Sequence, residues 1–353
     1  MISARRSPVM PAGGPFARLE LHELAAPVIL AALTDAELDA GQVDELICAN
    51  ALGAGGNPGR VLALAAGLPE RVAGLTIDRQ CAGGLDAIAI ASALIRSGQA
   101  EVVIAGGVES ASRRPLRLRT DPDGGTPQPY DAPPFSPWPD RDPAMHEAAA
   151  ALARRSGITR KRQDSFAIES HARARMAAHP EILPMGGHGR DGFTRNLTPA
   201  LTARARVIAD TITAANAAVS ADAAAFAVIT SPRIATRASR ALRLAGAVTL
   251  GAAPEEPGLA PVPAIHRLWQ PGTPLALAEI MEAYAVQAIA CIKGAELDPQ
   301  VVNPGGGALA RGHPIGASGA ILAARLFHNL ENGHGLAAIA AAGGIGSALL
   351  LEA

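Results

Sequence analysis

"RQCAGGLDAIAIASALIRSG" (79–98), followed almost at once by "EVVIAGG" (101–107), decides the architecture. From Leu85 to Ile95 the helix read here is apolar on nearly every face, and such a helix sits inside a fold. The run after it is continuous, apolar and rich in β-branched residues, as a strand covered on both faces must be. A buried helix feeding a buried strand belongs to a layered α/β fold. Upstream, the pattern predicts a helix over 22–40 with Pro27 early and a strand in "VDELICAN" (43–50). A glycine loop, "GAGGNPGR" (53–60), then opens a helix over 60–67, and a strand follows in "AGLTID" (73–78).

The last third repeats this plan. A strand in "QVVNP" (300–304) runs into a glycine-rich turn, the turn opens an apolar helix in "SGAILAARLFHNL" (318–330), and an apolar strand leads to a second glycine pair. Gly98 to Gly106 and Gly335 to Gly343 span the same interval, which reads as a duplicated βαβ-type unit. Each copy brings a strand end, a tight turn and a helix start together, where open α/β sheets bind ligands.

Between the copies the composition changes. Residues 112–144 hold nine prolines, with four arginines between 113 and 119, and read as a long extended loop. Helices are predicted over 145–156 and 160–178, the second capped by Thr159, with irregular chain over 184–206. "AAAFAVIT" (223–230) is the strand that ends the first half.

Composition narrows the function. In 353 residues, 49% are hydrophobic, 18% are charged and the formal net charge is −1, which excludes a disordered chain and a basic nucleic-acid binder. No apolar run reaches the ~18 residues of a spanning helix, so no membrane role is expected. Three cysteines, Cys48, Cys81 and Cys291, make neither a disulfide framework nor a zinc pair, and no metal site is expected. Arg5, Arg6 and Arg18 without an acid imitate a targeting peptide, but Pro8, Pro11 and Pro15 break any amphipathic helix, so a cytoplasmic protein is expected.

Two residues carry chemistry. Cys81 lies between a strand and a buried helix, where the helix dipole and free N–H groups favour thiolate; the bland alternative is a small core residue. Cys48 and Cys291 read as core. His313 lies in "NPGGGALARGHPIGASGA" (303–320), a glycine density that suits a turn converging on a ligand. A turn-stabilising histidine is the alternative, and no GxxxxGK[ST] phosphate loop is present. A Cys–His pair from separate segments suits nucleophilic acyl transfer.

"DRQCAGGLDAI" (78–88), "AGGVESAS" (105–112), "RQDSFAIESHARA" (162–174), "TITAANAAVSADAAA" (211–225), "EIMEAYA" (279–285) and the His313 block resemble the signature blocks of thiolases, in order. "ARRSPV" (4–9) resembles the family's opening strand. The resemblance implies an α/β thiolase fold: two duplicated five-stranded sheets with sandwiched helices, in αβαβα layers, plus an inserted loop domain. It divides the chain into an N-terminal half (1–112 and 221–235), a loop domain (113–220) and a C-terminal half (236–353).

The resemblance also implies roles. Cys81 is the nucleophile, holding an acyl group taken from acyl-CoA, and His313 activates it. The backbone N–H groups of Cys81 and Ala342 form an oxyanion hole. Met145 packs on the pantetheine arm of coenzyme A, and Arg113, Arg114, Arg117 and Arg119 are candidates for its phosphates. The CoA thioester is substrate, with no tightly bound cofactor, in lipid metabolism. A homodimer is expected, with a tetramer as alternative.

Several positions depart from the family. Ala340 stands where a second cysteine acts as base. Met281 stands where Asn or His holds a water for the enolate oxygen, and a thioether is a weak partner. Ala283 stands where some relatives have a cysteine. Ala218 replaces a serine and His146 a glycine near the pantetheine. Acylation of Cys81 is therefore expected to survive and the Claisen step to be impaired, with His146 and Glu282 as candidate substitutes for the base. The alternatives are acyl transfer or hydrolysis without condensation, and a non-catalytic scaffold binding a CoA ester or a partner.

Overall fold

In the computed structural model, which describes residues 1–53 and 55–353, the chain opens with β1 (Ser3–Arg6) and β2 (Met10–Pro11). Then come α1 (Leu21–Asp35), β3 (Glu45–Ala49), α2 (Pro58–Ala65) and β4 (Leu75–Ile77). Ala54 of the expected glycine loop lies outside the described residues. A helical turn at Gln80–Ala82 leads into α3 (Gly83–Arg96) and β5 (Val102–Ser110). The stretch read as plain loop contains a hairpin, β6 (Arg117–Arg119) and β7 (Gln128–Tyr130). Next come α4 (Met145–Ser156), α5 (Arg160–Met176), the short α6 (Pro199–Ala203), β8 (Val207–Ala209) and β9 (Ile212–Thr213). After β10 (Ala221–Thr230) and α7 (Pro232–Ala235) the second half runs β11 (Arg243–Gly251), α8 (Pro261–Leu268), β12 (Leu277–Ile280), α9 (Ala285–Gly294) and α10 (Ala308–Arg311). It ends with α11 (Ile315–Asn329), β13 (His334–Ala341) and β14 (Ile345–Glu352).

The duplication is visible strand by strand. The first sheet is ordered β1-β10-β5-β3-β4, with β2 continuing along β10; the second is β11-β14-β13-β12. In each, the first three strands are antiparallel and the fourth joins parallel. The second sheet thus has four strands where five were expected. The place of β4 is taken by one parallel bridge, Ala278 to Val302. Prolines 299 and 304 bracket that segment, and the Asn303 carboxamide replaces the missing backbone: its Nδ2 donates to the Ile280 carbonyl at 2.8 Å, and its Oδ1 accepts from the Ile280 N–H at 2.8 Å. The matched glycine interval does not carry the repeat. Gly98 precedes β5 and Gly106 lies inside it, whereas Gly335 lies inside β13 and Gly343 follows it.

Burial on both faces explains the apolar strands. In β3, Ile47 faces a core shared with α3 and α11, while Leu46 and Cys48 face α1 and α2. On the second sheet, Ala278 and Ile280 meet Ile265 of α8 and Cys291 of α9. Cys48 and Cys291 are core residues, both fully buried. The layers are therefore helix, sheet, helix pair, sheet, helix.

The central helices α3 and α11 cross with their backbones in contact. A Cβ on Gly84 would lie 2.6 Å from the Ala320 nitrogen, and one on Gly319 would meet the Leu85 nitrogen. Both sheets clamp the pair, so the helices cannot separate. Gly84→Ala is expected to destabilise the fold by about 1–3 kcal/mol, as overpacking does, read as a lower urea midpoint. An unchanged midpoint would show that the crossing yields.

Arg6 is part of the architecture. It is fully buried, with Nη2 2.9 Å from Glu181 and Nη1 2.6 Å from Asp191. Arg325 of α11 shares Glu181 at 3.2 Å and reaches Glu279 at 2.8 Å. Buried charges need such pairing, and here it ties β1, the segment after α5, α11 and β12 together.

Candidate active site

The internal repeat places the two chemical residues in equivalent positions. Cys81 stands two residues before α3 begins, and His313 stands two residues before α11 begins. Because the helices cross at Gly84 and Gly319, the residues just ahead of them meet. His313 Nε2 lies 3.1 Å from Cys81 Sγ.

The imidazole's proton can be assigned from its neighbours. Ser318 Oγ donates to the Pro314 carbonyl at 2.9 Å, which uses its only hydrogen. At 2.7 Å from His313 Nδ1 it must accept, so Nδ1 carries the proton and the Nε2 lone pair faces the thiol. Ser318 was missed in the sequence. Its only signal there was a hydroxyl on the first turn of the helix that follows the histidine.

The resting pair is neutral. Burial pushes the Cys81 thiol up to about 12, with Glu109 and Asp78 adding to the rise; the backbone N–H groups of Cys81 and Ala342 oppose it. Burial also pushes His313 down to about 4. Burial thus works against the thiolate that the helix-start donors favour. The N–H of Cys81 and the N–H of Ala342 both address the sulfur. Ala342 leads a turn in which Gly343 and Gly344 have φ of 76° and 74°, a conformation that suits glycine.

Glu109 explains the "AGGVESAS" block (105–112). Its buried carboxylate accepts from Gly316 N at 2.9 Å, Ala51 N at 3.0 Å, Leu52 N at 3.1 Å and Asn50 Nδ2 at 2.8 Å. It therefore fastens the start of α11 to the end of β3. Burial raises its pKa to about 7.

A cavity of about 260 Å³ lies over the pair. Met145, Ala148, Ala149 and Leu152 of α4 form one wall, on the i, i+3, i+4, i+7 face of that helix. Ala218, Ala283, Ala340 and Ala342 also line it, together with Tyr284 and Gln287. Sequence reading singled out neither Tyr284 nor Gln287. Burial pushes the Tyr284 phenol up to about 12, with Cys81 adding to it, so it stays a neutral donor.

Other candidates lie elsewhere. Met281 is buried in the central core rather than on the cavity wall. His146 is half-buried and does not line the cavity. Glu282 is fully occupied: its oxygens accept from Ser170 Oγ at 2.7 Å, Asn303 Nδ2 at 2.8 Å and Leu309 N at 3.2 Å, away from Cys81. None of the four arginines lines the cavity. Arg113 pairs with Glu20, and Arg114 lies 3.4 Å from Asp131. Arg117 donates to the Ala51 carbonyl at 3.1 Å, and Arg119 stacks 5.6 Å from the Tyr130 ring centre. Among the described residues, no three His, Cys, Asp or Glu are grouped to hold a metal, and no helix is long and apolar enough to cross a membrane.

A duplicated five-layer fold whose Cys–His pair sits where its two central helices begin defines a class of acyltransferases. The thiolase N-terminal domain matches residues 1–233 and the thiolase C-terminal domain matches residues 239–353. The chain belongs to the thiolase family. It is 40% identical over 352 residues to the putative acetyl-CoA C-acetyltransferase YhfS of Bacillus subtilis, covering 94% of this chain and 92% of that one. It is 35% identical to the putative acetyl-CoA C-acetyltransferase VraB of Staphylococcus haemolyticus, covering 100% and 98%. Among solved structures it is similar to the Acat5 thiolase from Ascaris suum in complex with coenzyme A (TM-score 0.92, 29% identity, 99% and 98% covered). It is also similar to the Bacillus anthracis acetyl-CoA acetyltransferase (TM-score 0.91, 32% identity, 100% and 98% covered).

Proposed function

We propose that the protein takes an acyl group from acyl-CoA onto Cys81 as a thioester and passes it to an acceptor. The observation that carries this is the 3.1 Å contact between His313 Nε2 and Cys81 Sγ at the foot of the cavity. As sulfur attacks the thioester carbonyl, Nε2 takes the thiol proton. The carbonyl oxygen becomes an oxyanion between the N–H groups of Cys81 and Ala342, where fixed dipoles stabilise it. The carbon–sulfur bond to coenzyme A then breaks, and His313 returns the proton to the leaving thiolate. Acyl-Cys81 and free coenzyme A remain. Met145 on α4 guides the pantetheine arm, in keeping with a functional role for the inserted segment 113–220. The CoA ester is the substrate and no tightly bound cofactor takes part. The setting is cytoplasmic and the assembly a homodimer.

A second reading concerns the acceptor. Ala340 lines the cavity and cannot act as a base, and Met281 is buried away from it. Among the described residues that line the cavity, His313 is left as the base beside the acyl group, and it serves a thiol or water better than a carbon acid. Acyl exchange or hydrolysis is then faster than condensation. Incubation with acetyl-CoA followed by mass spectrometry tests the first reading. An acetyl adduct is expected on the Cys81 peptide and none in Cys81→Ala. An unmodified Cys81 at saturating acetyl-CoA removes both readings.

A further inference from the structure

Gln287 holds a donor that no described residue satisfies. It stands on the first turn of α9, is 3% exposed and lines the cavity over Cys81. Its Oε1 accepts the Ala283 N–H at 3.1 Å, which fixes the orientation of the carboxamide. The Nε2 on the other branch is buried without a hydrogen-bond partner. The stem packs against Gly258, where a Cβ would lie at ordinary contact distance, 3.5 Å, from Gln287 Cγ. The Oε1 bond to Ala283 holds the amide before any ligand arrives. The α4 wall across the cavity, from Met145 to Leu152, offers no polar side chain.

Buried N–H groups are almost always paired, so one that lines a ligand cavity without a partner needs an explanation. We propose that Gln287 Nε2 donates to a carbonyl oxygen of the bound acyl-CoA and is a specificity-determining residue of this site. The inference rests on the acyl-CoA reading above. The acceptor chemistry is a carbonyl, and an acyl-CoA has two kinds of it: the amides of the pantetheine arm and the oxygens of the acyl group.

Calorimetry in a Cys81→Ala background separates binding from acylation. The probes are coenzyme A, which has only pantetheine amides, and acetoacetyl-CoA, which adds acyl oxygens. Gln287→Glu keeps an oxygen for the Ala283 N–H and removes the donor; Gln287→Met removes both. For a lost neutral hydrogen bond the expected weakening is about tenfold, in both variants. Weakening toward both probes assigns a pantetheine amide; weakening toward acetoacetyl-CoA alone assigns an acyl oxygen. If Gln287→Glu binds both probes as tightly as its parent, the residue is only a cap for Ala283 and the proposal falls. A Cys81→Ala parent that binds neither probe overturns the acyl-CoA reading itself, a result distinct from either.

Discussion

Replacing His313 with alanine should slow acylation of Cys81 by acetyl-CoA by about 10²–10⁴-fold, the usual worth of a positioned general base. The reason is the neutral resting pair. With the thiol held near 12, almost no thiolate exists at neutral pH, so attack depends on transfer of the proton to Nε2. The pH profile follows from the directions of the shifts. His313 is lowered to about 4, so its lone pair is free above that pH and is lost as pH falls through it. The native rate should therefore stay level across the neutral range and drop toward pH 4. In His313→Ala the residual rate should climb with pH, because only thiolate made by hydroxide can attack. Stopped-flow release of coenzyme A measures both. A native rate that rises through an ordinary thiol pKa would mean that a thiolate, not a proton transfer, starts the reaction.

Placing a cysteine at Ala340 should raise thiolysis of acetoacetyl-CoA by about 10²–10⁴-fold while leaving Cys81 acylation by acetyl-CoA unchanged. Ala340 is on the cavity wall, and Ala218, Ala283 and Ala341 around it are small, so a single sulfur fits without displacing a larger side chain. In thiolysis the new thiol gives a proton to the carbon that leaves as enolate, and in condensation its thiolate takes that proton; acyl exchange needs neither. Met281→Asn has no comparable benefit. Met281 is 1% exposed in the central core, so the change buries an amide at a cost of about 1–3 kcal/mol and puts no donor in the cavity. A rise of less than threefold in Ala340→Cys would show that the absent thiol is not what limits carbon–carbon chemistry.

Both expectations began with residues legible in the sequence. Cys81 and His313 announced themselves because glycines crowd them and apolar helices follow them, and both signals are local. Met281 was legible only as a departure in a motif. That its side chain is buried in the central core, away from the cavity, depends on how β12 packs, which no local pattern records. Glu282 was a plausible base until its three hydrogen-bond partners from α5, Asn303 and α10 were in view. Similarly, "QVVNP" reads as a strand, but the flanking prolines and the Asn303 amide leave it one bridge long.

By itself the sequence determined the α/β class and the two buried helices, because hydrophobic periodicity expresses burial directly, and it made Cys81 and His313 candidates; the layers and the roles of that pair came from the resemblance to thiolases. Tertiary structure alone decided the tautomer of His313, the contact of its Nε2 with the Cys81 sulfur, the burial that disfavours charge on that pair and the unpaired amide of Gln287. These depend on distances between segments far apart in the chain and on how much water the packed halves exclude, and neither quantity is written in any local stretch of residues.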